Sequence, residues 1–145
     1  MENMNNWQKI AAVYKKSTEM PDLVGQSLEL AVGMALADMV NNDEEAIAAV
    51  TGEAVESENG FTMQLQIFQH EGSNYFLIFP DEKSAADMEL GFTKCKVREL
   101  FTLAKNTPQM RGIRLIFDVD TESKSFSAGE ITKNMLSIAL NTHNN

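Results

Sequence analysis

Apolar residues recur at helical spacing in the first third of the chain. Trp7, Ile10, Ala11 and Tyr14 fall at i, i+3, i+4 and i+7 and share one helical face. Asn6 precedes them as a cap, and Lys15 to Thr18 close this helix before Pro21. A second helix is expected from Pro21 or Asp22, because proline is tolerated in a first turn. Leu28, Val32, Ala35, Leu36 and Met39 form its stripe, and Asn41-Asn42 break it. Asp43 is placed to cap a short third helix over 44–50, built from Glu44, Glu45, Ala46, Ile47, Ala48 and Ala49. Thr51 to Gly60 reads as an acidic loop punctuated by Gly52 and Gly60.

The period then changes from helical to alternating. Phe61, Met63, Leu65 and Ile67 alternate with Thr62, Gln64 and Gln66, the pattern of a half-buried strand over 61–68. Glu71-Gly72-Ser73-Asn74 is a turn. Tyr75-Phe76-Leu77-Ile78-Phe79 is a continuous apolar run, expected as a central strand that forms a hairpin with the first. Pro80 ends it. Ser84 is read as the cap of a helix through Leu90, with Gly91 as its stop. Val97, Leu100, Phe101 and Ala104 mark another helix to Lys105, stopped by Pro108. Ile113 to Phe117 is a third strand, and Asp118 to Lys124 a loop. Ser127 and Glu130 have the spacing of a capping box for a last helix, with Ile131, Met135, Leu136 and Ile138 toward the core.

The expected order is α-α-α-β-β-α-α-β-α. It implies an α+β fold, with one small mixed β-sheet of about three to four strands, including a hairpin, packed with helices. No Pro/Gly-rich linker divides the chain, so residues 1–145 are expected to form one domain. N-terminal helices occupy 1–50, and the sheet-containing part spans 61–140.

Charge adds a direction to this picture. The formal net charge of the 145-residue chain is −9. Residues 1–60 hold 3 basic and 11 acidic side chains, and residues 61–145 hold 9 and 10. No basic residue lies between Lys16 and Lys83, whereas Lys94, Lys96, Arg98, Lys105, Arg111 and Arg114 cluster later. Nucleic-acid binding is disfavoured, since phosphate affinity needs clustered cations and this cluster lacks interleaved aromatic residues. Membrane binding is disfavoured too: Leu28 to Val40 is too short and too polar to span a bilayer. The single Cys95 rules out a disulfide within the chain, and no signal peptide is seen before Lys16. A cytoplasmic location is expected. The acids Asp43, Glu44, Glu45, Glu53, Glu56 and Glu58 are candidates for a surface that docks a protein, in particular a basic one. A homodimer is compatible with the sequence.

Candidate chemistry is sparse. Ile113 to Thr121 is an apolar strand ending in Asp118-Val119-Asp120. It resembles the first motif of haloacid-dehalogenase-type phosphatases, which would make Asp118 a nucleophile and Asp120 a general acid beside magnesium. Thr121-Glu122 stands where that family has Gly-Thr. Asp118, Asp120 and Glu122 also resemble the start of a calcium loop, although the sixth position is Ser123, the twelfth is Gly129, and Glu130 falls one place late. These three acids are the weak metal candidates, for magnesium or calcium. Cys95 stands between Lys94 and Lys96, which would lower its thiol pKa, but His70 and His143 are not placed as its base. No phosphate loop or zinc set is present in the sequence, so no catalytic residue and no cofactor are assigned. Tyr75, Phe76, Phe79 and Phe92 are expected mostly in the core, or as a protein-binding patch if one face of the sheet is left open.

Residues 65–140 carry one further signal. The run L-Q-I-F-Q-H-E-G-S-N-Y-F-L-I-F-P-D-E-K-S-A-A-D, followed by G-I-R-L-I-F-D-V-D and then Ser127 to Leu140, resembles the SseB N-terminal domain family. Phe79-Pro80-Asp81 and Phe117-Asp118 replace that family's usual Phe-Thr-Ser-like and Asn-Pro-like signatures. The resemblance implies a small cytoplasmic domain without catalytic residues that acts by protein contact. The leading expectation is therefore a non-enzymatic interaction or regulatory domain of a bacterial cytoplasm. The alternative is a metal-dependent module or phosphatase-like enzyme built on Asp118 and Asp120.

Overall fold

A computed structural model describes residues 5–19, 26–50, 55–56, 62–63, 65–123 and 125–141. Along the chain run α1 (Asn6–Glu19), α2 (Gln26–Asn41), β1 (Glu45–Val50), β2 (Val55–Glu56), β3 (Thr62–Met63), β4 (Ile67–His70) and β5 (Ser73–Phe79). Then follow α3 (Glu82–Asp87), β6 (Gly91–Lys96), α4 (Val97–Asn106), β7 (Met110–Asp120), β8 (Ser125–Thr132) and α5 (Lys133–Asn141). The fold is α+β, with a mixed sheet of six strands ordered β6-β1-β5-β7-β8, where β4 also pairs with β5. The sheet is thus larger than the three or four strands expected. Strands β2 and β3 pair separately.

The central strand is the apolar run read from the sequence. On one side β5 lies parallel to β7. On the other, β1 pairs with its end (Ala48 opposite Ile78) and β4 with its beginning (Phe68 opposite Tyr75), both antiparallel. The β4–β5 hairpin closes through Glu71 and Gly72, whose φ values of 52° and 82° both lie in the left-handed region. Two such residues give the turn the twist that paired strands need, and glycine takes the second position without strain. Pro80 follows β5 at once.

Helices α1, α2, α4 and α5 cover one face. Trp7, Ile10, Ala11 and Tyr14 are all buried there, with Leu36 and Met39 of α2, Leu100 and Phe101 of α4, and Ile113 and Leu115 of β7. The other face carries a smaller cluster of Ala49, Leu77, Phe79 and Ile116 under Ala85 of the six-residue α3. Among the described residues no helix is long and apolar enough to cross a membrane.

Several elements differ from expectation. Residues 44–50 are not a helix. Glu45–Val50 is β1, paired along its length with β6 and at Ile47 and Ala48 with β5. Local helix preference of the alanines amounts to tenths of a kcal/mol per residue, and two flanking strands outweigh it. Gly91 does not stop a helix but opens β6, an edge strand whose exposed Phe92, Thr93 and Lys94 give no apolar alternation to read. Ser84 is not the cap of α3. Asp81 is, accepting from the Ser84 backbone N–H at 2.8 Å and from its hydroxyl at 2.9 Å. Ser127 and Glu130 do not cap the last helix either. They lie in β8, and the Thr132 hydroxyl takes the Met135 N–H at 3.1 Å instead. Strand β7 runs on through Asp118 to Asp120, where a loop was expected, and Lys124 lies outside the described residues. The strand expected over 61–68 is divided between β3 and β4, with 61 and 64 outside the described residues. Asn5 rather than Asn6 receives the Gln8 N–H at the start of α1, at 2.7 Å. The expected start of the second helix at Pro21 or Asp22 lies outside the described residues.

Tyr14 ties the helical layer to the sheet. Its hydroxyl donates to the Glu130 carbonyl at 2.6 Å. Burial, and then the Glu130 carboxylate, push its phenol well above the ordinary value of 10.0. The unfolded chain therefore releases this proton from about pH 10 upward while the folded chain keeps it. The unfolded state binds fewer protons there, so the contribution is intact below pH 10 and is lost as pH rises beyond it. Urea unfolding of Tyr14→Phe at increasing alkaline pH should show a shallower decline than wild type; parallel declines would refute the assignment.

Candidate functional site

The acids singled out in the sequence divide by what they touch. Asp43, with φ of 57° in the turn after α2, is paired with Lys96 at 3.0 Å. The half-buried Glu44 carboxylate accepts from Asn6 Nδ2 at 2.8 and 3.0 Å, and its carbonyl accepts the Val97 N–H. The Glu45 carbonyl accepts the Trp7 indole N–H at 3.0 Å, while its carboxylate is exposed. This corner thus joins α1, β1, β6 and the start of α4. Asp38 near the end of α2 and Glu99 in the first turn of α4 add exposed carboxylates here. Asp38, Glu45 and Glu99 make no side-chain hydrogen bond or ion pair among the described residues. Glu53 and Glu58 lie outside the described residues, and of Glu56 only the strand backbone in β2 is described.

Lys96 therefore turns toward the acidic segment, and Lys94 toward Glu82 at 2.9 Å. Arg111 pairs with Glu130 at 3.2 Å. Part of the basic stretch is spent on internal compensation. These exposed pairs each contribute at most about 1 kcal/mol.

Asp118 and Asp120 stand opposite Ser127 and Ser125 in the β7–β8 pair. Asp118 borders a crevice of about 470 Å³ between α1, the start of α3 and the end of β7. Several polar groups of that crevice are engaged with each other. Lys83 holds Asp87 at 2.9 Å, and Asp81 accepts from Gln8 as well as Ser84. The Asp120 carboxylate turns back on its own loop: the Ser123 side chain, then the Ser123 and Glu122 N–H groups at 3.3 and 3.0 Å, hold it below the ordinary carboxylate range. Among the described residues no group of three His, Cys, Asp or Glu side chains stands close enough to hold a metal ion.

Cys95 does not behave as its lysine neighbours suggest. Burial, then Glu99 and Glu45, push its thiol up to about 12. The neighbouring cations are bound elsewhere, and a thiol so shifted stays protonated and unreactive near neutral pH.

The second sheet face holds a groove that the sequence did not reveal. Tyr75, Phe76 and Phe79 are buried, as expected, and Phe92 is exposed. The groove is instead formed around Arg114 of β7, between Phe68 and His70 of β4 and Phe126 and Ala128 of β8, with a volume of about 480 Å³. Phe68 and Phe126 lean toward each other, with ring centroids 5.2 Å apart, and His70 stacks on Phe68 at 6.2 Å. The Arg114 guanidinium lies 5.4 Å over the Tyr75 ring and donates through Nη2 to the Ala128 carbonyl at 2.7 Å. Its Nε–H is buried without an acceptor. The alternation of Phe126 and Ala128 is the available signal, and the capping-box spacing of Ser127 and Glu130 masks it.

Comparison of the chain with family models, curated proteins and solved structures finds no match.

Proposed function

We propose that this chain is a non-enzymatic protein-interaction domain, SseB-like in kind and bacterial cytoplasmic in setting, that docks a partner carrying a basic patch. The observation that supports this most is the corner where α1, the end of α2, β1, β6 and the start of α4 meet. It presents three exposed carboxylates, Asp38, Glu45 and Glu99, none of them in a side-chain hydrogen bond or ion pair among the described residues, although Lys94 and Lys96 lie within electrostatic range of Glu45, and Lys96 of Glu99. Asp43 and Glu44, by contrast, hold the corner together. Opposite charges across an interface steer encounter and select partners, and their effect falls with added salt.

The test is affinity capture from extract with the wild-type chain and with Asp38→Asn/Glu45→Gln/Glu99→Gln. A partner should be retained at low salt, released as salt rises, and bound at least tenfold more weakly by the triple variant. Retention that ignores both salt and the three substitutions would rule this surface out.

A further inference from the structure

The six-stranded sheet ends in β6 on one side and β8 on the other, and the two edges differ. We infer that β6, the edge beside the acidic corner, docks an extended basic segment of the partner protein as an added strand. This deepens the docking reading above and rests on it.

The first observation is the direction of the backbone groups. The Val97 N–H donates to the Glu44 carbonyl at 3.0 Å. Antiparallel pairs alternate between residues that exchange both backbone bonds and residues that turn theirs away. Counted from Glu44 and Val97, Ala46 exchanges with Cys95 and Ala48 with Thr93 in the β1–β6 pair. The Glu45 and Ala49 carbonyls agree with this phase, since they accept from the Trp7 indole and the Gln66 N–H instead of from β6. Phe92 and Lys94 therefore direct both backbone groups outward, and Lys96 its N–H. None of these groups has a hydrogen-bond partner among the described residues.

The second is cover. On β8 the chain's own side chains occupy two carbonyls: the Tyr14 hydroxyl bonds to Glu130 at 2.6 Å, and Arg114 Nη2 to Ala128 at 2.7 Å. No side chain does this along β6 among the described residues. Gly91 to Lys94 are all exposed. Thr93 is exposed although it stands beside Ala48 of the main core, so the helical layer stops short of this edge. An edge strand left open in this way is a template for another strand.

The third is charge. The two lysines of β6 are matched, Lys94 by Glu82 and Lys96 by Asp43. Arg98 is turned to the Val40 carbonyl. Glu45 stands opposite Lys96, and Glu45 and Glu99 both act on the Cys95 thiol, so these two carboxylates flank the second half of β6. The net charge of −9 disfavours a second copy of the chain here and favours a basic segment. Main-chain bonds to the edge supply affinity, and the carboxylates select the partner.

The probes are acetyl-Lys-Val-Thr-Val-Lys-Val-Lys-amide, the same peptide N-methylated throughout, and its counterpart with glutamates for lysines. Each is titrated into the full chain by nuclear magnetic resonance, with hydrogen exchange read at the backbone amides. The basic peptide should bind and slow exchange of the Phe92, Lys94 and Lys96 amides at least tenfold. The N-methylated and acidic peptides should bind at least tenfold more weakly, and Glu45→Gln/Glu99→Gln should weaken the basic peptide several-fold. Lys94→Pro removes an outward N–H and no bond to β1, and should lose tenfold or more, whereas Lys94→Ala should keep binding. If the proline variant does not fold, the N-methylated peptide makes the same test. Absence of binding by the basic peptide, or protection that avoids β6, would overturn the assignment. Binding that needs Glu45 and Glu99 but ignores N-methylation would overturn strand addition and leave the acidic corner standing. Binding at β6 that ignores both carboxylates and salt would overturn the basic partner and the corner reading with it. Protection of these amides that grows with chain concentration, without peptide, would overturn the assignment in favour of a second copy.

Discussion

Replacing Phe101 with alanine is expected to remove about 3–5 kcal/mol of stability. The ring is fully buried on α4, where it packs in the main core and meets Trp7 of α1 edge-on at 6.3 Å between centroids. Truncation loses the transfer free energy of the ring, leaves a cavity that close packing cannot refill, and removes an aromatic pair worth about 0.5–1.5 kcal/mol within that total. It also loosens Trp7, whose indole N–H bonds to the Glu45 carbonyl and holds α1 against β1. A domain stable by about 5–15 kcal/mol would lose a large fraction of its margin. Urea or guanidinium unfolding measures the effect. Phe92→Ala, on the exposed edge strand β6, is the control and should cost less than about 1 kcal/mol. A loss for Phe101→Ala within that control range would show that α4 does not pack through this ring.

Gly129→Ala should be almost as damaging, for the opposite reason. A Cβ at this position of β8 would enter the ring of Tyr14, meeting Cδ1 and Cγ. The ring cannot step aside, because it is buried and its hydroxyl is fixed to the carbonyl of the next residue, Glu130. Overpacking of this kind costs about 1–3 kcal/mol or more. The diagnostic is a double-mutant cycle. Tyr14→Ala destabilises by itself, but in that background Gly129→Ala should cost much less than in wild type. Additive losses would show that the tyrosine does not lie over the glycine.

Which parts of the fold were legible in the sequence follows from which signals are local. The α1 face of Trp7, Ile10, Ala11 and Tyr14, the α4 face of Val97, Leu100, Phe101 and Ala104, and the central strand Tyr75 to Phe79 were read correctly, because each is strongly patterned and deeply buried. Strand β1 is not legible locally, because Ala46, Ala48 and Ala49 favour a helix by themselves. Nothing in residues 44–50 announces the strands β5 and β6 that pair with them. Strand β8 is masked in the sequence by the capping-box spacing of Ser127 and Glu130. Pairing with β7 places Ser127 opposite Asp118 and Glu130 opposite Arg114, and the capping role passes to Thr132. The candidate sites shifted for the same reason. Asp43 and Glu44 were visible as acids, but only the approach of Lys96 and Asn6 engages them. Asp38 and Glu99, 61 positions apart by number, were not in the set at all.

By itself the sequence determined the fold class, the helical faces of α1 and α4, the central strand and its hairpin, and the concentration of negative charge in the first 60 residues. These depend on periodicity and composition, which act over a few neighbouring positions. Tertiary structure alone decided that an alanine-rich segment becomes a strand, that the Cys95 thiol is raised instead of lowered, and that Arg114 meets Phe68 and Phe126 across four strands. Those outcomes depend on strand pairing and burial between residues far apart in the chain, whose energies exceed the local preferences that a sequence displays.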